Sequence, residues 1–422
     1  MNRRTEDILQ AGSSSDLVEC GVIPHQVPLR ERAILVVLAS VHFIHIMDFM
    51  MMLPLGPQFM KLFDITPQQF GLLISAYAFS AGVCSFFVSF FIDRFDRKHV
   101  LILLCAGMGI ATLICALAND YTMLLLGRMV AGGFSGMLSA IIFAIIADII
   151  PEYRRGVATG TVMSAFSIVA VVGMPIGMLL VNLVDWRAPF YLLSAVSSLM
   201  IIIALRVLPS LRDHLIHHQE RHPFQQLRAI FWVRNHLYAF ALIAMLMFAG
   251  FCVSPFISTY MVINVGMAEI DLPYLYFFGG LATFFAARIL GRLADLHGKR
   301  KTFGVTAALS VFPILLLTHL SSVPTVFAVG ISTLFMMLVS GRFVPAMALV
   351  TASVTPRLRG SFLSFNTSVQ QLSAGLASLL TGSIMGISAN GALTHYDSVG
   401  IIASIATILS ILLAVKVDSY QE

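Results

Sequence analysis

The chain has 422 residues, of which 58% are hydrophobic and 11% are charged. A water-soluble domain carries about 25% charged residues, so this composition excludes an ordinary soluble fold and points to a surface that faces lipid. The net charge of +5 is spread along the chain, which excludes a nucleic-acid footprint, and no nucleic-acid partner is expected. The cysteines, Cys20, Cys84, Cys105, Cys115 and Cys252, form no C-x-x-C pair. They read as small packing residues rather than as a disulfide framework or a metal site.

Residues 1–29 form a polar tail with no short apolar stretch near its start, so no cleavable signal is expected and the first span itself directs insertion. Crossing a hydrocarbon core takes about 20 mostly apolar residues. Such runs occur near 33–57, 70–92, 100–118, 122–149, 157–182 and 188–207. They resume near 236–262, 272–295, 302–320, 324–352, 360–386 and 394–416. They are too long for barrel strands, and a helix satisfies its own backbone in lipid. The expected fold is an all-α membrane protein of twelve transmembrane helices in two six-helix bundles, 30–207 and 236–416. A cytoplasmic linker at 208–235 joins them, and a short tail closes the chain at 417–422.

Charge alternates between the connections. Arg30, Arg32, Arg94, Arg97, Lys98, Arg154, Arg155, the stretch from Arg206 to Arg234, Lys299, Arg300, Lys301, Arg357, Arg359 and Lys416 gather on one side. Asp64, Asp120, Asp185, Glu269, Asp271 and Asp397 gather on the other, where the only basic residues are Lys61 and Arg187. The positive-inside rule makes the first side cytoplasmic, with both termini there. Around the linker, His214, His217, His218, His222 and His236 read as solvated, and 223–234 as an amphipathic helix on the inner leaflet.

A charged turn follows the second span of each half, at Asp93 to Lys98 and at Asp295 to Arg300. This is a weak internal repeat of the kind that duplication of a six-helix unit leaves. The run Gly291-Arg292-Leu293-Ala294-Asp295-Leu296-His297-Gly298-Lys299-Arg300 resembles the loop signature of the major facilitator superfamily. The first half carries a worn copy, with Ser89 and Asp96 where that pattern has glycines. Leu124 to Gly132, with Arg128, resembles the family's R-x-x-x-G element. Gly173-Met174-Pro175-Ile176-Gly177 with Asp185-Trp186-Arg187 resembles the fifth-span region of bacterial sugar and drug effluxers. The antiporter form G-P-x-x-G-G is not met, so the direction of transport does not follow from this likeness. The resemblance implies two bundles around a midplane cavity, alternating access, and a bacterial inner membrane.

An ionisable side chain at bilayer depth costs several kcal/mol and invites a functional question. Asp48 is the one carboxylate well inside a span, and a lone acid there suits a proton carrier. At about 100° per residue His45 shares its face and is the candidate to tune it or relay its proton, while His42 is turned about 120° away. Arg128, Arg288 and Arg342 also lie within spans. The resemblance associates Arg128 with proton coupling. Arg342, near the midplane, is a candidate to pair with Asp48 or to hold an anionic substrate; Arg288 reads as snorkelling to the surface.

The resemblance implies a cytoplasmic gate that latches the outward-facing state and releases in the other state, with Asp93, Arg94, Arg97 and Asp148 as the latch in one half. Gly291, Arg292, Asp295 and Arg300 serve the other, with Asp295 accepting from Arg292 and Arg300. Tyr77, Tyr260, Asn366 and Gln370, with Ser254 and Pro255, are candidate cavity residues; Asn366 and Gln370 share a helix face at i and i+4. No phosphate-binding G-x-x-x-x-G-K-[ST] loop is present, so no cofactor and no ATP are expected, only a proton gradient. The expectation is a monomeric secondary transporter, not an enzyme, whose partners are a small solute and the bilayer. Proton-coupled efflux comes first, with uptake of an anionic metabolite and a transporter-like sensor without flux as the alternatives.

Overall fold

The computed structural model describes residues 29–88, 95–211, 230–355 and 358–418. The polar tail before residue 29, Asp93, Arg94 and the linker histidines from His214 to His222 lie outside these residues, as does most of the proposed amphipathic helix. His236, by contrast, is not solvated but buried, with Nδ1 3.0 Å from the Ile230 carbonyl at the start of the second half.

The first half begins with α1 (Leu29–Met51) and a short helix α2 (Gly56–Leu62), followed by α3 (Pro67–Val88). α4 (Arg97–Ala116) and α5 (Tyr121–Ile149) follow. The carboxylates of Asp96 and Asp120 accept the Lys98 and Met123 amide hydrogens at 3.0 and 2.8 Å, and so cap α4 and α5. The fifth span is α6 (Glu152–Ile168) running through a π-turn at Val169–Gly173 into α7 (Met174–Leu183). Pro175 can donate no amide hydrogen to the turn before it, and the wider turn absorbs that break. α8 (Ala188–Val207) closes the half.

In the second half α9 (Arg234–Val253) tightens at Pro255 into a 3-10 turn (Ser254–Phe256). It then runs through α10 (Ile257–Tyr260) and a second π-turn (Met261–Val265). α11 (Leu272–His297) and α12 (Lys299–Thr318) meet at Gly298, whose φ of 90° suits a residue without Cβ. The tenth span breaks at Arg342 into α13 (Thr325–Gly341) and α14 (Phe343–Ala352). α15 (Arg359–Ile384), a hairpin of β1 (Gly386–Ile387) and β2 (Leu393–Thr394), and α16 (Tyr396–Lys416) complete the chain.

Eleven spans among the described residues are long and apolar enough to cross a membrane. The remaining run, α15, has 26 residues but is interrupted by Asn366, Gln370, Gln371 and several Ser and Thr, which take it below the same hydropathy threshold. Eleven are therefore established, where the sequence reading has twelve. The polar composition of α15 has a use, because that helix lines the cavity described below.

Within each half the helices pack on one another, α3 on α5 and α4 on α8 in the first, α9 on α16 and α11 on α13 in the second. In lipid this packing depends on close approach rather than on expulsion of water. Gly132 and Gly136 on α5 lie so near α3 that a Cβ there would sit 2.2 Å from the Tyr77 carbonyl and 2.1 Å from that of Ala81. The halves meet along two lines: α3 against α15, and α11 against the π-turn at Val169–Gly173 and α7.

A cavity with a buried ion pair behind its wall

Between the halves lies a cavity of about 1420 Å³. Its lining reaches the helix ends that carry the basic residues, at Arg97, Ala147, Gly360 and Ser364, and stops at Leu53 and Met174 in the other direction. The acidic end is packed shut. Met51, Met52, Leu55, Phe59 and Phe70 are buried there, Phe70 meets Phe256 edge-on at 5.5 Å, and Gln58 donates to Glu269 across the halves at 3.2 Å.

Asp48 on α1 is fully buried. Its Oδ2 accepts from Arg128 Nη1 at 3.0 Å, and its Oδ1 accepts from the Thr112 hydroxyl at 2.9 Å. Arg128 Nη1 also reaches the Asp48 carbonyl at 3.1 Å. The guanidinium lies 4.2 Å from the centre of the Tyr77 ring, which stacks on Phe49 at 5.1 Å. Tyr77 and Phe49 line the cavity, whereas Asp48 and Arg128 do not. The ion pair is therefore a sealed unit with a two-ring wall between it and the cavity. In so dry a setting each charge depends on the other.

Arg342 does not pair with Asp48 and does not line the cavity. It sits fully buried in the second half, donating to Ser310 Oγ at 2.7 Å and Thr407 Oγ1 at 2.9 Å. The rotation of its helix points Arg342 between α12 and α16, away from Asp48. His45 likewise does not touch Asp48. It bonds to Ser135, Ser139 and His42 instead, because the α1 face shared by His42 and His45 is turned to the cavity and α5. Tyr77, Asn366, Gln370 and Ser254 line the cavity. Asn366 Nδ2 and Gln370 Nε2 donate to Met347 Sδ, at 3.6 and 4.0 Å. Tyr260 lies away from it, donating to the Leu320 carbonyl at 2.8 Å, and Pro255 is buried outside the lining. Arg288 is exposed and lies over the Phe284 ring at 3.7 Å.

At the basic end Arg97 pairs with Asp148, joining the start of α4 to the end of α5 within one half. Asp96, where the family pattern has glycine, accepts from Ser210 Oγ at 2.7 Å and the Leu211 amide at 3.2 Å, so it holds the chain that leaves α8. Lys98 Nζ adds bonds to the Leu205 and Leu208 carbonyls. In the other half the expected latch is not formed. Asp295 and Arg292 are exposed, and Arg300 turns to the end of α16, donating to the Val417 carbonyl at 2.7 Å and to Asp418 at 3.0 Å. Gly291 sits beside Val344 with ordinary clearance for a Cβ. Since the Arg300–Asp418 pair is largely solvated, Arg300→Ala is expected to change thermal stability in detergent by less than about 1 kcal/mol. A larger loss would show that the bond to Val417 anchors α16.

Helices of membrane-spanning length around a central cavity, with an ion pair at depth, define a polytopic membrane transporter. The sequence matches the Major Facilitator Superfamily over residues 38–378 and 240–421, and the chain belongs to that family. It is 25% identical over 392 residues to the uncharacterized MFS-type transporter YceJ of Bacillus subtilis, covering 90% of this chain and 94% of that one. It is 30% identical over 158 residues to the purine ribonucleoside efflux pump NepI of Escherichia coli O6:K15:H31, covering 37% of this chain and 40% of the pump. A probable sugar efflux transporter of Helicobacter pylori strain P12 is 25% identical over 151 residues, 36% of this chain and 39% of the relative. Among solved structures, the D-xylose-proton symporter superposes with a TM-score of 0.73 at 12% identity, covering 90% of this chain and 97% of that one. The bacterial Spinster homologue, inward-facing and unoccupied, gives 0.68 at 15%, covering 93% and 96%. At these identities the structures establish a shared fold.

Proposed function

We propose that the protein is a proton-driven antiporter that exports a small organic compound, with Asp48 as the proton carrier and Arg128 as its counter-ion. The observation that carries this reading is the sealed Asp48–Arg128 pair, placed behind the Tyr77–Phe49 wall of the cavity. A solute pressing on Phe49 moves the residue next to Asp48 in the chain, so occupancy of the cavity and exposure of the carboxylate are mechanically linked. Protonation cancels the carboxylate's charge and weakens its bond to Arg128 from a charge-assisted one to a neutral one. The first-half helices α1, α4 and α5, which the pair and Thr112 tie together, are then free to shift against the second half.

The basic end is taken as cytoplasmic, with both termini there, in a bacterial inner membrane. The cavity then opens inward, as needed to load a cytoplasmic solute. Efflux is favoured over uptake by the partial likeness to sugar and nucleoside effluxers, and the anion-gripping uptake scheme loses its residue because Arg342 is outside the cavity. One chain suffices, and the electrochemical gradient of protons, pH difference and voltage together, is the only energy source.

The test reconstitutes the protein in vesicles and offers a purine ribonucleoside, a hexose and an aromatic drug in turn, reading proton movement with a pH dye. A solute-triggered proton flux in the wild type that is abolished in Asp48→Asn is expected. A flux that survives unchanged in Asp48→Asn removes Asp48 from the coupling role. Solute movement without protons in either protein would make the chain a uniporter.

A further inference from the structure

The cavity wall carries a second polar group that the ion pair does not use. His42 and His45, one turn apart on α1, face Ser135 and Ser139 on α5, and both imidazoles line the cavity. Ser135 Oγ lies 3.0 Å from His45 Nδ1, and His45 Nε2 lies 3.0 Å from His42 Nδ1 and 3.1 Å from Ser139 Oγ. His42 Nε2 has no partner among the described residues and is not sealed from the cavity.

This row of bonds reads in either direction. With Ser135 donating to His45 Nδ1, the His45 Nε2 hydrogen goes to His42 Nδ1, and His42 presents an N–H to the cavity. With His45 Nδ1 donating to Ser135, His42 Nδ1 donates to His45 Nε2, and His42 presents a lone pair. Each arrangement holds two protons on two neutral rings, and serine hydroxyls serve both. The pair therefore offers a donor or an acceptor as the ligand requires, with no change in charge.

The rest of the wall decides the ligand's other features. Phe49, Phe143, Phe251, Phe335 and Phe365 supply ring faces and edges suited to a flat aromatic body. Among the described lining residues there is no Asp or Glu, and the one permanent charge is Arg97 at the basic mouth. An organic cation would gain a little from the ring faces, but an ion of either sign would lose more through its hydration, with no carboxylate to pair a cation and Arg97 already paired with Asp148.

We propose that His42 and His45 form a substrate subsite that selects neutral aromatic compounds bearing a hydroxyl or carbonyl group, and that rejects organic ions. The assignment rests on the reading of this cavity as the transport site.

Four probes of one shape test it by equilibrium dialysis against the purified full-length protein: naphthalene, 2-naphthol, 2-naphthoate and 2-naphthylmethylammonium. Naphthol is expected to bind one per chain, and the ammonium and naphthoate at least about tenfold more weakly, since neither charge meets a free counter-charge in the wall. His42→Phe should weaken naphthol by about three- to tenfold, the worth of one hydrogen bond, while naphthalene binds wild type and variant alike and so reports an intact cavity. The proposal is overturned if the ammonium or naphthoate binds as tightly as naphthol, or if His42→Phe leaves naphthol unchanged. It is also overturned if that variant weakens naphthalene equally, or if none of the four binds. Any of these leaves the transport reading standing or falling on the proton-flux comparison with Asp48→Asn, which needs none of these probes.

Discussion

Arg128→Leu is expected to destabilise the protein by about 3–5 kcal/mol, because it leaves the carboxylate of Asp48 buried without its partner. The carboxylate keeps only the Thr112 hydroxyl, and Arg128 is fully enclosed, so no side chain is placed to take over. The double variant Asp48→Asn/Arg128→Leu should recover most of the loss. An Asn side chain still accepts from Thr112 and carries no charge to strand. Thermal unfolding of the four proteins in detergent closes the cycle. A double variant no more stable than Arg128→Leu would mean that the two side chains do not act as a unit, and that the arginine works through Tyr77 alone. The recovered double variant should still move no protons, which separates the folding role of the pair from its transport role.

The second expectation concerns the line where the halves meet at the π-turn. A Cβ on Gly280 would fall 2.1 Å from the Ala170 carbonyl oxygen and 2.5 Å from its carbon. Both are backbone atoms, so no side chain can swing aside. Gly280→Val therefore forces α11 away from the π-turn, at about 1–3 kcal/mol of overpacking. Gly280 lies towards the acidic end of α11, so the wedge opposes the arrangement with that end shut and the basic end open. A penalty of this size lowers the population of the arrangement about 5- to 150-fold. With the native cysteines replaced by serine, Ser364→Cys in the cavity lining reports it: labelling by a water-soluble maleimide should slow in the Gly280→Val background. Gly156→Val is the control, since nothing lies within 4 Å of a Cβ there. Unchanged labelling in both backgrounds would place the pivot between the halves elsewhere.

What the sequence made readable follows from which physical constraints act on composition alone. The bilayer sets the length of a span, so eleven of the runs appear directly as apolar stretches. α15 was readable too, although its Asn and Gln dilute the signal. Asp48 stood out because a carboxylate among apolar residues is costly wherever it points. Its partner was harder to choose. Arg128 and Arg342 are both within spans, and only helix rotation and packing order turn one towards α1 and the other towards Ser310 and Thr407. The same limit applies on α1 itself. His45 lies three residues from both His42 and Asp48, and the periodicity that pairs it with one pairs it equally with the other. Thr112, Ser135 and Ser139 gave no usable signal, since small hydroxyl residues in spans are mostly there to let helices approach. The Asp295–Arg300 latch was carried over from the family pattern. That latch is expected of the outward-facing state, whereas here the basic end is open and Arg300 bonds to Val417 and Asp418, just after α16.

On the proposed antiport reading, with Asp48 as the proton carrier, the cancelling charges of Asp48 and Arg128 also set the electrical character of transport. A proton added to that pair turns a neutral unit into a single positive charge within the membrane's electric field. Exchange of one proton for one uncharged solute then moves one elementary charge per cycle, worth about 2.3 kcal/mol for each 100 mV. Voltage alone would drive export with equal pH on both sides, and an anionic cargo leaving the cell would add a second charge in the same sense. For such a pump the membrane potential is a power supply in its own right, and a potassium ionophore would control it as surely as a proton ionophore.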